Sequence, residues 1–331
     1  MARRDRQRDL SGHHQHSRLV PRRLLDPWRR RRAVVLYRAG GVVACGLPRR
    51  LTMWVARLGG VVCAVALPKR RAVLCDNLLR VLGREASERE LRRAARRAFI
   101  SYGWYWAESL RLEATTAKEL EDSVSFEGLE HIERAQKHGR GVVFAVPHLG
   151  NFDVGAARMA AIGHPLTVVV EPVEPPELFE WFCQLRRSAG MRTVPLGPSV
   201  TSTLIEVLRS NGLVALVCDR DLGGRGVDVE LFGAPTTLPG GPATLALRTG
   251  AALLPAAAFD EPGRRHRVVI RPPLETDRRG TVEQDVGRIT RQMACELEQI
   301  IRTAPEQWHV FQPCWPRPAE LEGDESPDAS V

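Results

Sequence analysis

The sequence predicts an α/β fold, in which a sheet flanked by helices follows a basic helical N-terminal region. From residue 120 onward, short β-type runs such as Gly141–Val146 alternate with helix-type segments. Before that point the sequence is rich in Arg and in helix formers. With 331 residues, 44% of them hydrophobic, the chain can bury a full-sized core, which excludes a disordered or collagen-like polymer.

Charge divides the chain into unequal parts. Residues 1–32 contain eleven Arg and three Asp, a net charge of +8, and residues 33–112 carry a further +10. The tail from Ala319 carries five acids and no base. We expect residues 1–32 to be a disordered Arg-rich tail, residues 318–331 an acidic disordered tail, and residues 33–317 the folded domain. A cationic front end indicates a polyanionic partner, either an anionic membrane or nucleic acid.

The first predicted helices carry this cationic character. Val34–Leu47 and Leu51–Leu67 are apolar apart from Arg38 and Arg57, and each is shorter than the ~20 residues that a spanning helix needs. Flanking Arg and Lys, with Trp28 and Trp54, suit helices that lie at the headgroup boundary of an anionic membrane. Ordinary core helices of an α-helical front domain are the alternative. Nucleic acid is disfavoured, because long apolar stretches interrupt the cations and no recognition motif is present.

Helix is predicted to continue over residues 72–112, with an N-cap at Ser87 and an aromatic cluster at residues 102–106 that suits a core or an acyl-facing belt. We therefore expect residues 33–112 to form the helical membrane-surface part, and residues 113–317 the α/β catalytic body. The predicted strands are Gly141–Val146, Leu166–Val170, Thr193–Leu196, Leu213–Cys218, Val227–Phe232, Leu253–Phe259 and Arg267–Arg271. The predicted helices of the body are residues 153–162, 174–189 and 200–211 and the closing helix Val282–Arg302. The fold class is thus α/β, a mixed sheet flanked by helices with a basic, membrane-associating helical N-terminal region.

The loop after the first predicted strand carries candidate chemistry. It reads Val-Pro-His-Leu-Gly-Asn-Phe-Asp over residues 146–153, and such loops meet at the carboxyl ends of the strands. Asp153 can fold back onto the His148 imidazole, and a His oriented by a carboxylate acts as a general base. Because the sequence has no G-x-S-x-G nucleophile elbow, the base would activate a substrate hydroxyl, which indicates acyl transfer to an alcohol. A loop histidine without catalytic function is the alternative.

The His-Leu-Gly-Asn-Phe-Asp segment resembles the lauroyl-acyltransferase-like branch of the lysophospholipid acyltransferases. Further segments are similar to the actinobacterial phosphatidylinositol mannoside acyltransferases. They are Cys218–Leu222, Val227–Gly233, Leu238–Ala246, Thr249–Pro255 and Pro305–Pro316. The resemblance runs from about residue 33 to residue 317.

This resemblance implies that His148 deprotonates a mannose hydroxyl for attack on the thioester of acyl-CoA, with Asp153 beside it and a long acyl chain, palmitoyl, as the group transferred. It also implies that a carboxylate assists the His. That carboxylate is usually Glu in the mannoside acyltransferases, and Asp219 stands at the matching position here. The side chain that carries the carboxylate is therefore one methylene shorter.

Substrate-binding residues are expected around the groove. Arg186 and Arg225 match ligand-contacting positions in the resemblance, and Arg248 ends the helix that begins near Pro242; Arg suits the phosphates of CoA, although a solvated surface Arg is the alternative for each. Glu171 and Asn151 are assigned to substrate binding with them. Glu230 is either a site acid or a paired strand residue.

No metal and no cofactor is expected beyond acyl-CoA as co-substrate, since a thioester supplies its own leaving group. Seven scattered Cys without a C-x-x-C pair indicate reduced thiols in a cytoplasmic protein. The expected location is therefore peripheral, on the cytoplasmic face of the cell membrane. Another glycolipid acceptor, such as a lipid A-like one, is the alternative within the class. A nucleic-acid-binding protein and a catalytically silent lipid-binding relative are the alternatives outside it.

Overall fold

The computed structural model describes residues 27–221, 223–263 and 265–315. The predicted acidic tail and most of the Arg-rich tail lie outside the described residues, and the first helix begins at Pro27, within the segment assigned to that tail. The described helices are α1 Pro27–Gly46, α2 Arg49–Ala66, α3 Pro68–Leu82, α4 Glu88–Ser109, α5 Ala117–Ser123, α6 Leu129–Lys137, α7 Phe152–Ala161, α8 Pro176–Ser188, α9 Val200–Arg209, α10 Gly241–Thr249 and α11 Val282–Thr303. The strands are β1 Val124–Glu127, β2 Val142–Val146, β3 Leu166–Val170, β4 Arg192–Pro195, β5 Leu213–Val217, β6 Val227–Leu231, β7 Ala234–Leu238, β8 Ala252–Glu261 and β9 Arg265–Ile270.

Seven strands form one mixed sheet in the order β1-β9-β8-β2-β5-β3-β4. Neighbouring strands run parallel except for the antiparallel pair β8 and β9. Strand β2 is central, and its residues Val142–Ala145 are buried, as expected for a strand with helices on both faces of the sheet. Strands β6 and β7 form a separate antiparallel pair. The predicted α/β class with a mixed, helix-flanked sheet is confirmed.

The predicted elements of the body occur within a few residues of their expected bounds. Strands β1 and β7 are additional to the prediction; β1 has only four residues, and β7 contains Pro235, which is rare inside strands. The helical structure predicted over residues 72–112 is divided into α3 and α4, because α3 ends before Gly83, whose φ is +93°. Ser87 then caps α4 as predicted, with Glu90 completing a capping box.

No single helix among the described residues is long and apolar enough to cross a bilayer. Helices α2 and α3 meet that requirement only when taken together, and they are bent by 94° relative to each other.

Helices α2 and α4 cross at two glycines. A Cβ atom on Gly60 would lie 2.7 Å from Ile100 Cα, and one on Gly103 would lie 2.6 Å from the Ala56 carbonyl oxygen. Both distances are shorter than real side chains show, so the two backbones can approach this closely only where no Cβ intervenes. The glycines therefore set the spacing of the front helices.

Gly103→Ala should lower the free energy of unfolding by about 1–2 kcal/mol, because the strain of overpacking outweighs the helix propensity gained. Gly59→Ala is the matched control, since Gly59 lies in α2 and a Cβ added there would meet no atom within 4 Å. The control should raise that free energy by about 0.5–1 kcal/mol. Urea denaturation measures both changes; equal effects of the two substitutions would contradict the close crossing.

A buried charged network ties α4 to the sheet. His266 on β9 is 2% exposed, with Nδ1 3.2 Å from Asp260 Oδ1 and Nε2 3.2 Å from Glu108 Oε2. The other Glu108 oxygen lies 3.1 Å from Arg49 on α2. Ser101 of α4 donates a hydrogen bond to Asp260. These contacts join α2 and α4 to β8 and β9, and so fix the helical part against the catalytic body.

The two carboxylates determine the charge state of His266. Burial disfavours the charged imidazole, but contact with Asp260 and Glu108 raises the pKa of His266 to about 9. Although the three residues offer ligand atoms within 4.8 Å of one another, each carboxylate faces a different ring nitrogen. The geometry therefore fits an imidazolium between two carboxylates better than a metal site.

This network predicts a pH-dependent stability. The folded protein keeps the His266 proton that the unfolded chain releases near pH 6.5, so the stabilisation is complete below pH 6.5 and is lost as the pH rises through about 9. We expect the loss to be about 3 kcal/mol, measured by urea denaturation between pH 6 and about 10. His266→Gln cannot titrate and should remove that slope; a slope equal to the native one would show that other groups cause it.

Candidate active site

The His148 loop lies at the carboxyl end of the central strand, between the end of β2 and the start of α7. Gly150 has a φ of +58°, and a Cβ there would lie 1.9 Å from the Ala258 carbonyl oxygen, so the turn requires glycine. The Asn151 side chain accepts a hydrogen bond from the Val154 amide and thereby caps α7. These local constraints present His148 at the sheet edge where polar groups can meet.

His148 pairs with Asp219, which follows the parallel neighbour β5. The distance from His148 Nδ1 to Asp219 Oδ1 is 2.5 Å, and the backbone amide of His148 donates to Oδ2 at 2.9 Å. Asp219 is 1% exposed, whereas the His148 side chain is 24% exposed. Among the described residues Nε2 of His148 has no hydrogen-bond partner, so one ring nitrogen is anchored and the other is available to a substrate.

The environment of Asp219 favours the carboxylate. Burial alone would raise its pKa, but the charge of His148 and the hydrogen bonds from His148 and Trp308 hold the pKa below its usual range. An ionised carboxylate on Nδ1 keeps the ring proton on that nitrogen and leaves Nε2 able to accept a proton.

The structure does not bring Asp153 onto His148. Asp153 lies in the first turn of α7 and receives a bidentate pair from Arg186, with Nε to Oδ1 at 2.9 Å and Nη2 to Oδ2 at 3.1 Å. The Tyr105 hydroxyl donates to the same carboxylate at 2.9 Å, and Ser109 donates at 3.3 Å. Strands β2 and β5 end side by side, so Asp219 is the carboxylate that reaches the ring. A catalytic role for Asp153 stays a prediction.

Arg186, the predicted CoA contact, has its guanidinium engaged within the protein. Burial would lower its pKa, but the charge of Asp153 raises it above the usual value for Arg. The pair joins α7 to α8, and Arg186 also lines the main cavity described below.

Asn151 and Glu171 are the other predicted substrate-binding residues close to His148. Asn151 is fully buried, and its amide group donates to Glu108, so its contacts lie within the protein. Glu171 is exposed at the end of β3, lines the main cavity, and lies 3.9 Å from Arg220.

Arg225, Arg248 and Glu230 do not line the main cavity. Arg225 is exposed in the loop before β6, Arg248 lies in the last turn of α10, and Glu230 is exposed on β6. Their assignment to substrate binding stays a prediction.

A cavity of about 800 Å³ has His148 in its lining. Its apolar walls come mainly from the sheet and from α7. They include Phe144, Val168, Ala256, Val268, Ile270 and Met159. Such a volume, lined by hydrocarbon and reaching one imidazole, suits an apolar ligand whose reactive group stops at the ring.

A second, smaller pocket of about 280 Å³ also reaches His148. It is lined by cationic, aromatic and amide side chains. These include Arg70, Tyr102, Arg220, Phe311 and Gln312. His148 thus contacts two spaces of different chemistry, one apolar and one cationic.

Two residues next to the His148–Asp219 pair were not predicted as site residues from the sequence. The Trp308 indole donates from Nε1 to Asp219 Oδ2 at 2.7 Å, and the His309 amide donates to the His148 carbonyl oxygen at 2.7 Å. Burial lowers the pKa of His309 to about 3, so this ring is neutral at pH 7. Both residues belong to Pro305–Pro316, a segment that carries the resemblance without indicating a role for either side chain.

The chain matches the family described as bacterial lipid A biosynthesis acyltransferase over residues 26–317. It is 37% identical over 220 residues to a phosphatidylinositol mannoside acyltransferase of Mycobacterium tuberculosis, covering 65% of this chain and 68% of the relative. It is 34% identical over 293 residues to the protein of the same name from Mycolicibacterium smegmatis, covering 87% and 88%. A lipid A biosynthesis lauroyltransferase of Escherichia coli K12 is 26% identical over 259 residues, covering 74% and 79%.

These matches confirm the resemblance seen in the sequence, and three of the segments that carry it supply His148, Asp219 and Trp308. The chain therefore belongs to the bacterial lipid A biosynthesis acyltransferase family and is an acyltransferase of the phosphatidylinositol mannoside or lipid A type.

Proposed function

We propose that this protein transfers a palmitoyl chain from acyl-CoA to a mannose hydroxyl of phosphatidylinositol mannosides, with His148 as the general base. The observation that carries the proposal is the anchored imidazole. Its Nδ1 is held by the buried Asp219 carboxylate, and the ring lines a largely apolar cavity of about 800 Å³. This geometry supplies a base, a means to stabilise its charged form, and a space for the acyl chain.

In the proposed reaction, Nε2 of His148 takes the proton of the acceptor hydroxyl while the hydroxyl oxygen attacks the thioester carbonyl carbon. Asp219 stabilises the imidazolium that forms. Collapse of the tetrahedral intermediate breaks the carbon–sulfur bond, and the proton on Nε2 passes to the departing CoA thiolate. The acyl chain ends on the sugar oxygen, CoA leaves as the free thiol, and His148 returns to its neutral form.

The main cavity suits the acyl chain, since burying each methylene stabilises the complex by about 0.8 kcal/mol. We assign the acyl chain to the walls formed by β2, β3, β8, β9 and α7. The thioester would then lie at His148, which lines the cavity.

The smaller pocket suits the acceptor headgroup. Arg70 and Arg220 can pair with a phosphate, and the Tyr102 ring offers a flat face to a sugar. Two substrates would then reach the same imidazole from two adjoining spaces, whose linings share Phe152 and Arg220.

We further propose that the protein binds peripherally to the cytoplasmic face of the membrane through α1 and α2. This docking face consists of the exposed apolar side chains of the two helices, among them Leu36, Val42, Trp54, Val62 and Val65. Cations at Arg38, Arg50, Arg57 and Lys69 accompany it. Apolar side chains within a cationic surface suit an anionic bilayer, because burial of hydrocarbon and attraction to the headgroups act together. Arg70, which lines the smaller pocket, follows directly on Lys69 in α3.

A lipid A-like acceptor is the second candidate, supported by the 26% identity to the lauroyltransferase. The mannoside acceptor is favoured because the relatives of that name are more similar, at 34% and 37% identity. A direct comparison of the two acceptors with one acyl donor distinguishes them.

The base assignment predicts the effect of two substitutions on release of the CoA thiol from palmitoyl-CoA with phosphatidylinositol mannosides as acceptor. His148→Ala should lower kcat by about 10²–10⁴-fold, because the proton acceptor is lost. Asp219→Asn should lower it strongly as well, since the amide cannot stabilise the imidazolium. His138→Ala is the control, as His138 is exposed at the end of α6. Native turnover in His148→Ala would remove His148 from the mechanism.

The membrane assignment predicts that co-sedimentation with anionic vesicles requires the docking face. Replacing Trp54, Val62 and Val65 together by Ser should weaken binding about tenfold or more, and high salt should weaken the native binding. Val282→Ser is the control, because Val282 is similarly exposed at the start of α11. Binding that is indifferent to anionic lipid, to salt and to the triple substitution would contradict the proposal.

A further inference from the structure

The segment Gln307–His309 lies along the His148 loop, residues 146–153. The Gly150 amide donates to the Gln307 carbonyl oxygen at 2.9 Å, and the His309 amide donates to the His148 carbonyl oxygen at 2.7 Å. Leu149 and Trp308 form an antiparallel bridge between these two bonds. The backbone on both sides of Leu149, from His148 to Gly150, is therefore held by a segment that follows the last helix.

The Trp308 side chain extends this contact to the carboxylate. Trp308 is fully buried, and its indole N–H donates to Asp219 Oδ2 at 2.7 Å. The same oxygen accepts the His148 amide at 2.9 Å, while Oδ1 faces the His148 ring at 2.5 Å. With two donors on Oδ2 and the ring on Oδ1, rotation of the carboxylate would break at least one hydrogen bond.

This contact is a specific feature of Trp308 and is not a general property of buried indoles in this core. Trp315 is also buried, its ring lies 6.5 Å from that of Trp308, and its indole nitrogen has no hydrogen-bond partner among the described residues. The two rings share one hydrophobic cluster, yet of the two nitrogens only that of Trp308 points to a charged group within the described residues. A hydrogen bond to a buried carboxylate is stronger than one between neutral groups, because it offsets part of the lost hydration.

We propose that Trp308 is a positioning residue for acyl transfer: its indole N–H fixes the Asp219 carboxylate in the orientation that holds His148 Nδ1 and leaves Nε2 free for the acceptor hydroxyl. The inference rests on the proposed function of His148 as the base. Without this donor, the carboxylate can turn away from the ring, and the orientation of the imidazole is lost while the substrate cavity is unchanged.

The decisive variant removes only the N–H. Replacement of Trp308 by 3-benzothienylalanine substitutes sulfur for the indole N–H and preserves the shape of the ring, so packing and folding are retained. The same replacement at Trp315 is the matched control. We expect kcat to fall by about tenfold to a hundredfold when Trp308 is replaced. This is the range found for residues that orient a metal-binding side chain through a hydrogen bond. We also expect the KM for palmitoyl-CoA to stay within about twofold, because Trp308 does not line the main cavity.

Two further results separate positioning from packing. In an Asp219→Asn background the replacement at Trp308 should cause little additional loss of kcat, because the two residues act through one contact. With the natural Trp308 in place, the ¹H–¹⁵N signal of its indole should lie further upfield in the Asp219→Asn variant than in the native protein. The Trp315 signal should be the same in both. This NMR readout does not depend on turnover.

An unchanged kcat in the Trp308 replacement, or an equal loss in the Trp315 control, would overturn the proposal. So would an indole signal at Trp308 that Asp219→Asn leaves in place. If the native protein releases no CoA with any acceptor, the proposed function fails instead, and the NMR signal alone decides whether Trp308 holds Asp219.

Discussion

The site depends on a buried carboxylate that must remain charged beside one imidazole. Asp219 is almost completely removed from water, and a carboxylate in that position is costly unless donors surround it. The protein supplies these donors from three sources: the His148 ring, the His148 backbone and the Trp308 indole. Each donor also fixes one part of the site, namely the His148 ring, the His148 loop and the segment Gln307–His309. The same contacts that offset desolvation therefore set the orientation of the His148 ring.

Asp153, the carboxylate of the His-x4-Asp pattern, has a different role from Asp219. Asp153 joins Arg186 of α8 and Tyr105 of α4 to the start of α7, so three helices that line the main cavity meet at one side chain. Its partners come from elements far apart in the chain, and their removal would leave a buried charge without compensation. The motif thus combines His148, whose Nδ1 is held by Asp219, with a residue that holds the surrounding helices.

Much of the body can be predicted because it depends on local patterns. Buried strands such as β2 and β5 appear as short apolar runs, Ser87 shows the capping signal, and His148 follows a strand end. The partner of His148 differs from the one that spacing favours. Spacing favours the nearby Asp153, whereas strand order brings Asp219 to the ring, and this carboxylate is indicated only through the resemblance.

The remaining contacts could not be predicted, because they join residues that are distant in sequence. The Trp308 indole reaches Asp219 across 89 positions, and no periodicity or turn signal records such a pairing. The same holds for His266, whose charge depends on Glu108 from a different part of the fold. Local propensity determines the elements, whereas the registration of those elements on the sheet determines which polar groups meet.

The most direct test follows both products of one reaction. Labelled palmitoyl-CoA and phosphatidylinositol mannosides would be incubated with the native protein or with His148→Ala, and mass spectrometry would quantify free CoA and palmitoylated glycolipid together. We expect the native protein to form the two products in equal amounts and His148→Ala to form neither at a comparable rate. Release of CoA without acylated glycolipid, or equal product formation by His148→Ala, would contradict acyl transfer by an Asp219-anchored base.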